Sequence, residues 1–134
     1  MRYLLDSNTC IGYLNDRIPL VVHNLQQRIP LDVAVCSIVR AELYFGALRS
    51  RAPEKSMASV RSFLEPFQTI PFDDMAALVY ARIRADLTRR GALIGPNDLL
   101  IAAIAVSRHL ILVTHNTREF SRVTGLALED WEID

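Results

Sequence analysis

Four acidic residues stand where solvation alone does not explain an acid. Asp6 ends the first apolar run, Tyr3-Leu4-Leu5. Glu42 has Ile38 and Val39 before it, and Phe45 and Gly46 after it, at helical spacing. Asp98 opens the apolar segment Leu99 to Val106, and Glu119 follows the apolar run that ends at Val113. A carboxylate at the end of a buried strand is costly unless something pairs with it. Two like charges ~4 Å apart repel by about 4 kcal/mol at an effective dielectric of ~20. Several such pairs would consume much of the ~5–15 kcal/mol that keeps a small domain folded. A hard divalent cation removes that cost, and all-oxygen ligands favour Mg2+ or Mn2+ over zinc. Such a site keeps waters and binds phosphate, which points to metal-assisted phosphodiester chemistry.

Taken singly, each acid has a plainer role open to it. Asp6 can cap the helix that follows, although Ser7, Asn8 or Thr9 can do so as well. Glu42 can pair with an arginine at a partly exposed position. Asp98 is favoured by the dipole of the helix it opens. Glu119 lies three residues after Asn116, close to capping-box spacing. One shared site accounts for all four together. Ser7 and the loop Thr114-His115-Asn116 add polar groups beside it. His115 itself reads as a loop residue, and His23 and His109 as surface or helix-end residues. The group Arg82, Arg84, Arg89 and Arg90 is either a solvated helix face or a ridge contacting phosphate. No Walker-type or GxGxxG phosphate loop is present. Neither Ser7 nor Ser37 has a His–Asp relay.

The elements that must position these groups alternate between strand and helix. Residues 2–6 read as a short buried strand, followed by a helix carrying Ile11 and Leu14. A second helix begins near Pro19, carries Val21, Val22, Leu25 and Ile29, and ends before Pro30. Val33–Cys36 is the next strand, after which Ser37 caps a helix to about Arg49. Another helix starts at Ala52-Pro53-Glu54 and ends near Pro66. Gln68–Ile70 is a weak strand. Asp73 caps a long helix with Met75, Val79, Ile83 and Leu87 as its apolar stripe. Leu99 to Val106 is apolar all round and reads as a buried helix. Leu110–Val113 is a strand, Thr117–Phe120 a helical turn, and Leu126–Leu128 the start of an edge strand. The pattern predicts an α/β fold: a central parallel sheet of four to five strands flanked by helices on both sides. In such a sheet ligands bind beyond the carboxyl ends of the strands. If the first and fourth of the main strands are neighbours, Asp6 and the Asn116–Glu119 loop share one rim.

Composition narrows the class. The 134 residues predict a single domain over 1–134, with 51% apolar residues to supply a core. No apolar run reaches the ~18 residues of a membrane span, and no secretory leader is visible, so a cytoplasmic protein is expected. Cys10 and Cys36 read as two reduced, partly buried thiols. Zero net charge argues against a broad basic surface for non-specific nucleic-acid binding. The cations are 14 Arg and one Lys, Lys55. The closing run Glu129-Asp130-Trp131-Glu132-Ile133-Asp134 reads as a solvated acidic tail.

Several segments also resemble motifs of the PIN-domain nucleases. Tyr3-Leu4-Leu5-Asp6-Ser7-Asn8 resembles the first, and Ser37 to Gly46 the segment around the second acid. Gly95-Pro96-Asn97-Asp98-Leu99-Leu100-Ile101-Ala102-Ala103 resembles the third, and Thr114-His115-Asn116-Thr117-Arg118-Glu119-Phe120 the fourth. The closing Gly125-Leu126 to Trp131 is similar to the VapC toxin subgroup. This resemblance covers the whole chain, in order. It implies a PIN-like fold and a Mg2+- or Mn2+-dependent endoribonuclease, the toxin of a type II toxin–antitoxin pair. By it, Asp6, Glu42, Asp98 and Glu119 are the catalytic acids, and Asp6 and Asp98 hold the metal. Ser7, Thr114 and Asn116 are auxiliary polar groups. Many PIN domains carry an Asp where this chain has Asn116, so Glu119 is left to supply the fourth charge. The implied substrate is RNA, with initiator tRNA cut in its anticodon loop as the leading candidate. The implied partners are a VapB-type antitoxin, operator DNA reached only through that antitoxin, and a second copy in a homodimer; no membrane is involved.

Three other readings stay open on the sequence. A phosphotransfer domain also places an Asp after its first strand, but it needs a lysine further along, and Lys55 is the sole candidate. A DNA-directed nuclease of the same fold is a second. A non-catalytic binding module is the third, and the presence of Asp6, Glu42 and Asp98 counts against it.

Overall fold

The computed structural model describes residues 1–15 and 17–133. Its strands are β1 (Tyr3–Leu5), β2 (Val33–Cys36), β3 (Gln68–Ile70), β4 (Ile111–Val113) and β5 (Leu128–Glu129). They form one sheet in the order β3-β2-β1-β4-β5, and every pairing is parallel. Parallel strands need crossovers, and the helices of those crossovers cover both faces. That is why β1 and β2 read as unbroken apolar runs and are buried at every position. Leu5 lies beside Val35 on one side and Val113 on the other. The residues that follow each of them, Asp6, Cys36 and Thr114, therefore emerge at one rim. The Asp6 N–H seals this register by donating to the Val113 carbonyl at 3.1 Å.

The helices are α1 (Ser7–Leu14), α2 (Pro19–Gln26), α3 (Ser37–Leu48), α4 (Pro53–Leu64), α5 (Asp74–Arg89), α6 (Pro96–Ser107) and α7 (Thr117–Phe120). The anticipated buried helix is α6, whose Leu99 and Ile101–Ala105 are all buried. Its small alanines let α5 lie close along it. Leu4, Leu5 and Leu112 are fully buried in the sheet. Each such side chain contributes roughly 1.5–3 kcal/mol. α5 and α6 both end in a backbone in which the second residue past the cap donates back into the last turn. Ala92 reaches the Leu87 carbonyl, and Leu110 reaches that of Ala105. That geometry needs a left-handed residue, supplied by Gly91 at φ 64° and, less comfortably, by His109 at φ 55°.

Four local expectations are corrected. Cys36, not Ser37, stands at the cap of α3, and no side chain bonds there; Ser37 is already helical. α2 stops at Gln26, and Ile29 is exposed. The buried face of α5 starts at Ala76 rather than Met75, which faces solvent, while Val79, Ile83 and Leu87 keep to the covered side. The closing segment is not merely solvated. Trp131 is buried with its ring edge-on to Tyr3, Arg28 stacks over it at 4.6 Å, and its indole N–H donates to Glu129. A large aromatic with a polar handle gains more from that seat than from water. Among the described residues no helix is long and apolar enough to cross a membrane.

Candidate active site

Asp6 is 5% exposed and caps α1: its Oδ1 accepts the Thr9 N–H at 2.9 Å. The sequence offered capping and rim chemistry as alternatives, with Ser7, Asn8 and Thr9 as competing caps. The structure gives Asp6 the cap and still leaves it on the rim, because a cap uses one oxygen of two. Burial raises its pKa, and hydrogen bonding from the Thr114 side chain and the Thr9 N–H pulls against that rise, while the Thr9 hydroxyl donates to the Val113 carbonyl. Thr114 is fully buried, and its Oγ1 also accepts the Asn116 N–H at 3.0 Å. One hydroxyl therefore ties β4 and its following loop to the carboxylate at the end of β1.

Relieved of capping, Ser7 donates its hydroxyl to Glu42 Oε1 at 2.8 Å. Glu42 lies midway along α3 and is half-buried, with Val39 and Leu43 buried beside it and Phe45 exposed. Its face is thus mixed rather than wholly apolar. No arginine pairs with it among the described residues, so the ion-pair reading does not hold.

Asp98 is the third residue of α6. Its carboxyl is pushed up to about 7, first by burial and next by the charge of Glu119, with Asp6 and Glu42 adding further repulsion. All four acids therefore share one electrostatic neighbourhood. Glu119 is held the opposite way: its pKa is lowered, chiefly by the Gly95 N–H. Its Oε1 accepts that N–H at 2.7 Å, and its Oε2 accepts from the Asn116 side-chain amide at 2.8 Å. The capping box is absent. Asn116 makes no side-chain cap bond, and the carboxylate of Glu119 turns instead toward the loop before α6. A Cβ placed at Gly95 would lie 3.5 Å from both Asp98 Oδ2 and Glu119 Oε1, so the two carboxylates converge on this glycine. Such a pair titrates together, with Asp98 keeping the proton.

The structure thus gathers Asp6, Glu42, Asp98 and Glu119, together with Ser7, Thr114 and Asn116. It also adds a pair that the sequence reading missed. His115 Nδ1 lies 2.9 Å from Asp130 Oδ2 and 3.8 Å from Glu132. Asp130 raises the His115 pKa. The signal was Trp131, an aromatic too large to leave in a solvated tail. His23 and His109 are exposed and remote from this pairing. Cys10 and Cys36 are free, as expected, and buried.

Among the described residues no Lys or Arg forms a salt bridge with any of the four acids. The donor set suits a hard cation: carboxylates, hydroxyls and an amide, with no sulfur or ring nitrogen bonded to them. The raised Asp98 carboxyl is the mark of excess negative charge, which Arg122 offsets only in minor part, at Glu119. Among the described residues no three acids stand close enough to enclose an ion by themselves. A cation here would be held by one or two carboxylates and water, the habit of Mg2+.

A parallel sheet whose strand ends gather four carboxylates has the architecture of a PIN domain, and the PIN-domain family model matches residues 3–126. The tRNA(fMet)-specific endonuclease VapC of Salmonella typhimurium is 37% identical over 134 residues, covering 98% of both chains. Ribonuclease VapC2 of Haemophilus influenzae is 40% identical over 131 residues, again with 98% of each covered. The fold superposes with a TM-score of 0.92 on a chain of DNA-bound VapBC from Salmonella typhimurium, at 37% identity and 98% coverage of each. The chain belongs to the VapC family of PIN-domain ribonucleases. Nucleases of the PIN type generally use divalent metal ions.

Proposed function

We propose that this protein is a toxin endoribonuclease that hydrolyses a phosphodiester bond in RNA at the Asp6–Glu42–Asp98–Glu119 rim. The observation that carries this reading is Asp98: a carboxyl raised to about 7 among three other acids, none of them in a salt bridge with Lys or Arg among the described residues. Asp6 and Asp98 are the residues that would hold the ion, Mg2+ or, in its place, Mn2+. When bound, such an ion supplies Lewis-acid chemistry, acidifying a water and offsetting charge on the reacting phosphate.

The chain's own residues supply the rest. Ser7 fixes one oxygen of Glu42, leaving the other free to take a proton from the attacking water. Thr114 and the cap bond from Thr9 hold Asp6 in one orientation. Glu119 locks the Gly95 turn, and with it the start of α6 that carries Asp98. Asn116 neutralises no charge; it orients Glu119 through its amide. Attack by water breaks the phosphorus–O3′ bond, leaving a 5′-phosphate and a 3′-hydroxyl.

The relative in Salmonella typhimurium is named for tRNA(fMet), and initiator tRNA cut in its anticodon loop is the substrate proposed here, met in the cytoplasm. A VapB-type antitoxin is the proposed partner, with operator DNA reached through it. The cavity of about 750 Å³ between α2 and α4, lined by Leu25, Phe63 and Phe67, offers it an apolar seat. Exposed Phe45, Leu48, Met75 and Leu78 supply apolar surface for a homodimer. RNA ends sequenced after brief induction test the substrate. A single cluster of 5′-phosphate ends in one tRNA is expected; cuts scattered through messenger RNA would sink the selective reading.

A further inference from the structure

We propose that the cavity between α1 and the β4–α7 loop is a nucleotide subsite. It takes the RNA residue next to the scissile bond, with His115 donating through Nε2 to a phosphate oxygen. This inference rests on the nuclease reading above and deepens it.

The cavity measures about 450 Å³, within the ~300–1,000 Å³ of ordinary ligand sites. Its walls divide by chemistry. Asn8 and Asn116 offer amides for a base edge, Ile11 and Ile18 an apolar face for a ring, and Arg17 and His115 the cationic groups that phosphate requires. It adjoins the acidic rim directly. Asn8 lies two residues beyond Asp6 on the same helix, and Asn116 is bonded to Glu119. A strand seated here would therefore run straight into the four carboxylates.

The orientation of His115 is built rather than incidental. Asp130 is fixed by its own turn, its Oδ1 accepting the Glu132 N–H at 2.9 Å. Its other oxygen holds the imidazole by Nδ1. That bond keeps the ring a donor at Nδ1 and favours its charged form. Among the described residues Nε2 has no hydrogen-bond partner. Glu132 also lines the cavity but sits on the Nδ1 side, where its carboxylate reinforces the imidazolium rather than facing a phosphate at Nε2. The cavity sets its two cationic groups, Arg17 and His115, beside the anionic centre, with Asp130 and Glu132 engaged on the Nδ1 side of His115, and this gives a polynucleotide a direction of entry.

Two near-isosteres separate this role from a structural one. In His115→Gln the side-chain amide stands where Nε2 was and the Asp130 bond is given up. In His115→Asn the amide stands where Nδ1 was, keeping that bond and losing the outward donor. Both are made in a Glu42→Gln parent, which stops cleavage while leaving Asp6 and Asp98 to hold the ion. Binding of a fluorescein-labelled initiator-tRNA anticodon stem-loop is then followed by anisotropy in Mg2+. His115→Asn should weaken binding about ten-fold, the worth of one charge-assisted contact, and His115→Gln by no more than about three-fold. Equal binding by both variants and the parent overturns the subsite while leaving the nuclease intact, as does the reverse order. A parent that binds no RNA overturns both readings together.

Discussion

Asp86 on α5 and Asp98 at the head of α6 are both half-exposed aspartates on helices that pack against each other, and they meet opposite conditions. Asp86 lies 2.6 Å from Arg89 and 2.6 Å from Arg90, and its pKa is lowered, chiefly by the Arg90 hydrogen bond. Asp98 forms no salt bridge among the described residues and is raised to about 7. Asp73 repeats the first pattern, with Arg108 at 3.2 Å. Fifteen cations against fifteen acids would allow every acid a partner, yet the pairing is concentrated away from the rim. The chain therefore leaves one cluster of charge uncompensated at a cost in stability. That is the arrangement expected where an external cation supplies the balance. The same contrast extends to the arginines of α5. Arg84 rests on the Tyr80 hydroxyl, Arg90 also donates to the Arg122 carbonyl, and Arg89 is committed to Asp86. These three are held by the fold itself, whereas Arg82 has no hydrogen-bond or salt-bridge partner among the described residues.

The contrast breaks most visibly in activity. Asp98→Asn should lower kcat for tRNA cleavage by about a thousand-fold or more, whereas Asp86→Asn should leave it within two-fold. Circular dichroism should show both folded. Metal-free Asp98→Asn should be more stable than wild type by about 1 kcal/mol, since a like charge is removed from a partly screened cluster. Asp86→Asn, which strands two arginines, should not gain. Equal losses of activity in the two variants would mean that the rim is not the reacting centre.

Ligand linkage gives the next largest effect. Mg2+ at about a hundred times its Kd should stabilise the wild type by about 2.7 kcal/mol, a rise of roughly 5–10 °C in Tm. The rise should vanish in Asp98→Asn and persist in Asp86→Asn. A smaller effect is expected at Ser7. Ser7→Ala frees Glu42 to rotate without removing it, so kcat should fall about three- to ten-fold with KM little changed.

The rim half of this contrast was legible in the sequence; the paired half was not. The acids at strand ends and in the first turn of a fully apolar helix stood out because their neighbours are so plainly buried. The strand order placed them together, since β1 pairs with β4 as well as β2. Less legible was anything decided by competition among side chains. Four residues could have capped α1; Asp6 takes the cap, and Ser7 turns its hydroxyl to Glu42 on another helix. Glu119 sat at capping-box spacing but was drawn to the Gly95 N–H, a partner 24 residues away that no local pattern announces. The closing acidic run hid Asp130 because composition there says solvent, while the seat of Trp131 is tertiary.

The smallest effect tests the paired half of the comparison. Asp73 caps α5 through the Ala76 N–H at 3.0 Å, and that bond, followed by the Arg108 contact, lowers its pKa from the ordinary 3.8. A depressed carboxylate contributes stability that is present above its unfolded pKa and lost as pH falls through the lower folded value. Asp73→Asn keeps a competent cap but cannot titrate. Wild type should therefore be slightly more stable than Asp73→Asn at neutral pH. The gap should close as pH is taken from 3.8 down through the lowered value, a convergence that thermal melts of the two proteins across that window would register. A gap that stayed constant to the lowest pH would show the cap to be purely geometric. The Arg108 partner would then lend Asp73 no charge stabilisation, and the division between paired and unpaired acids would lose one of its two supports.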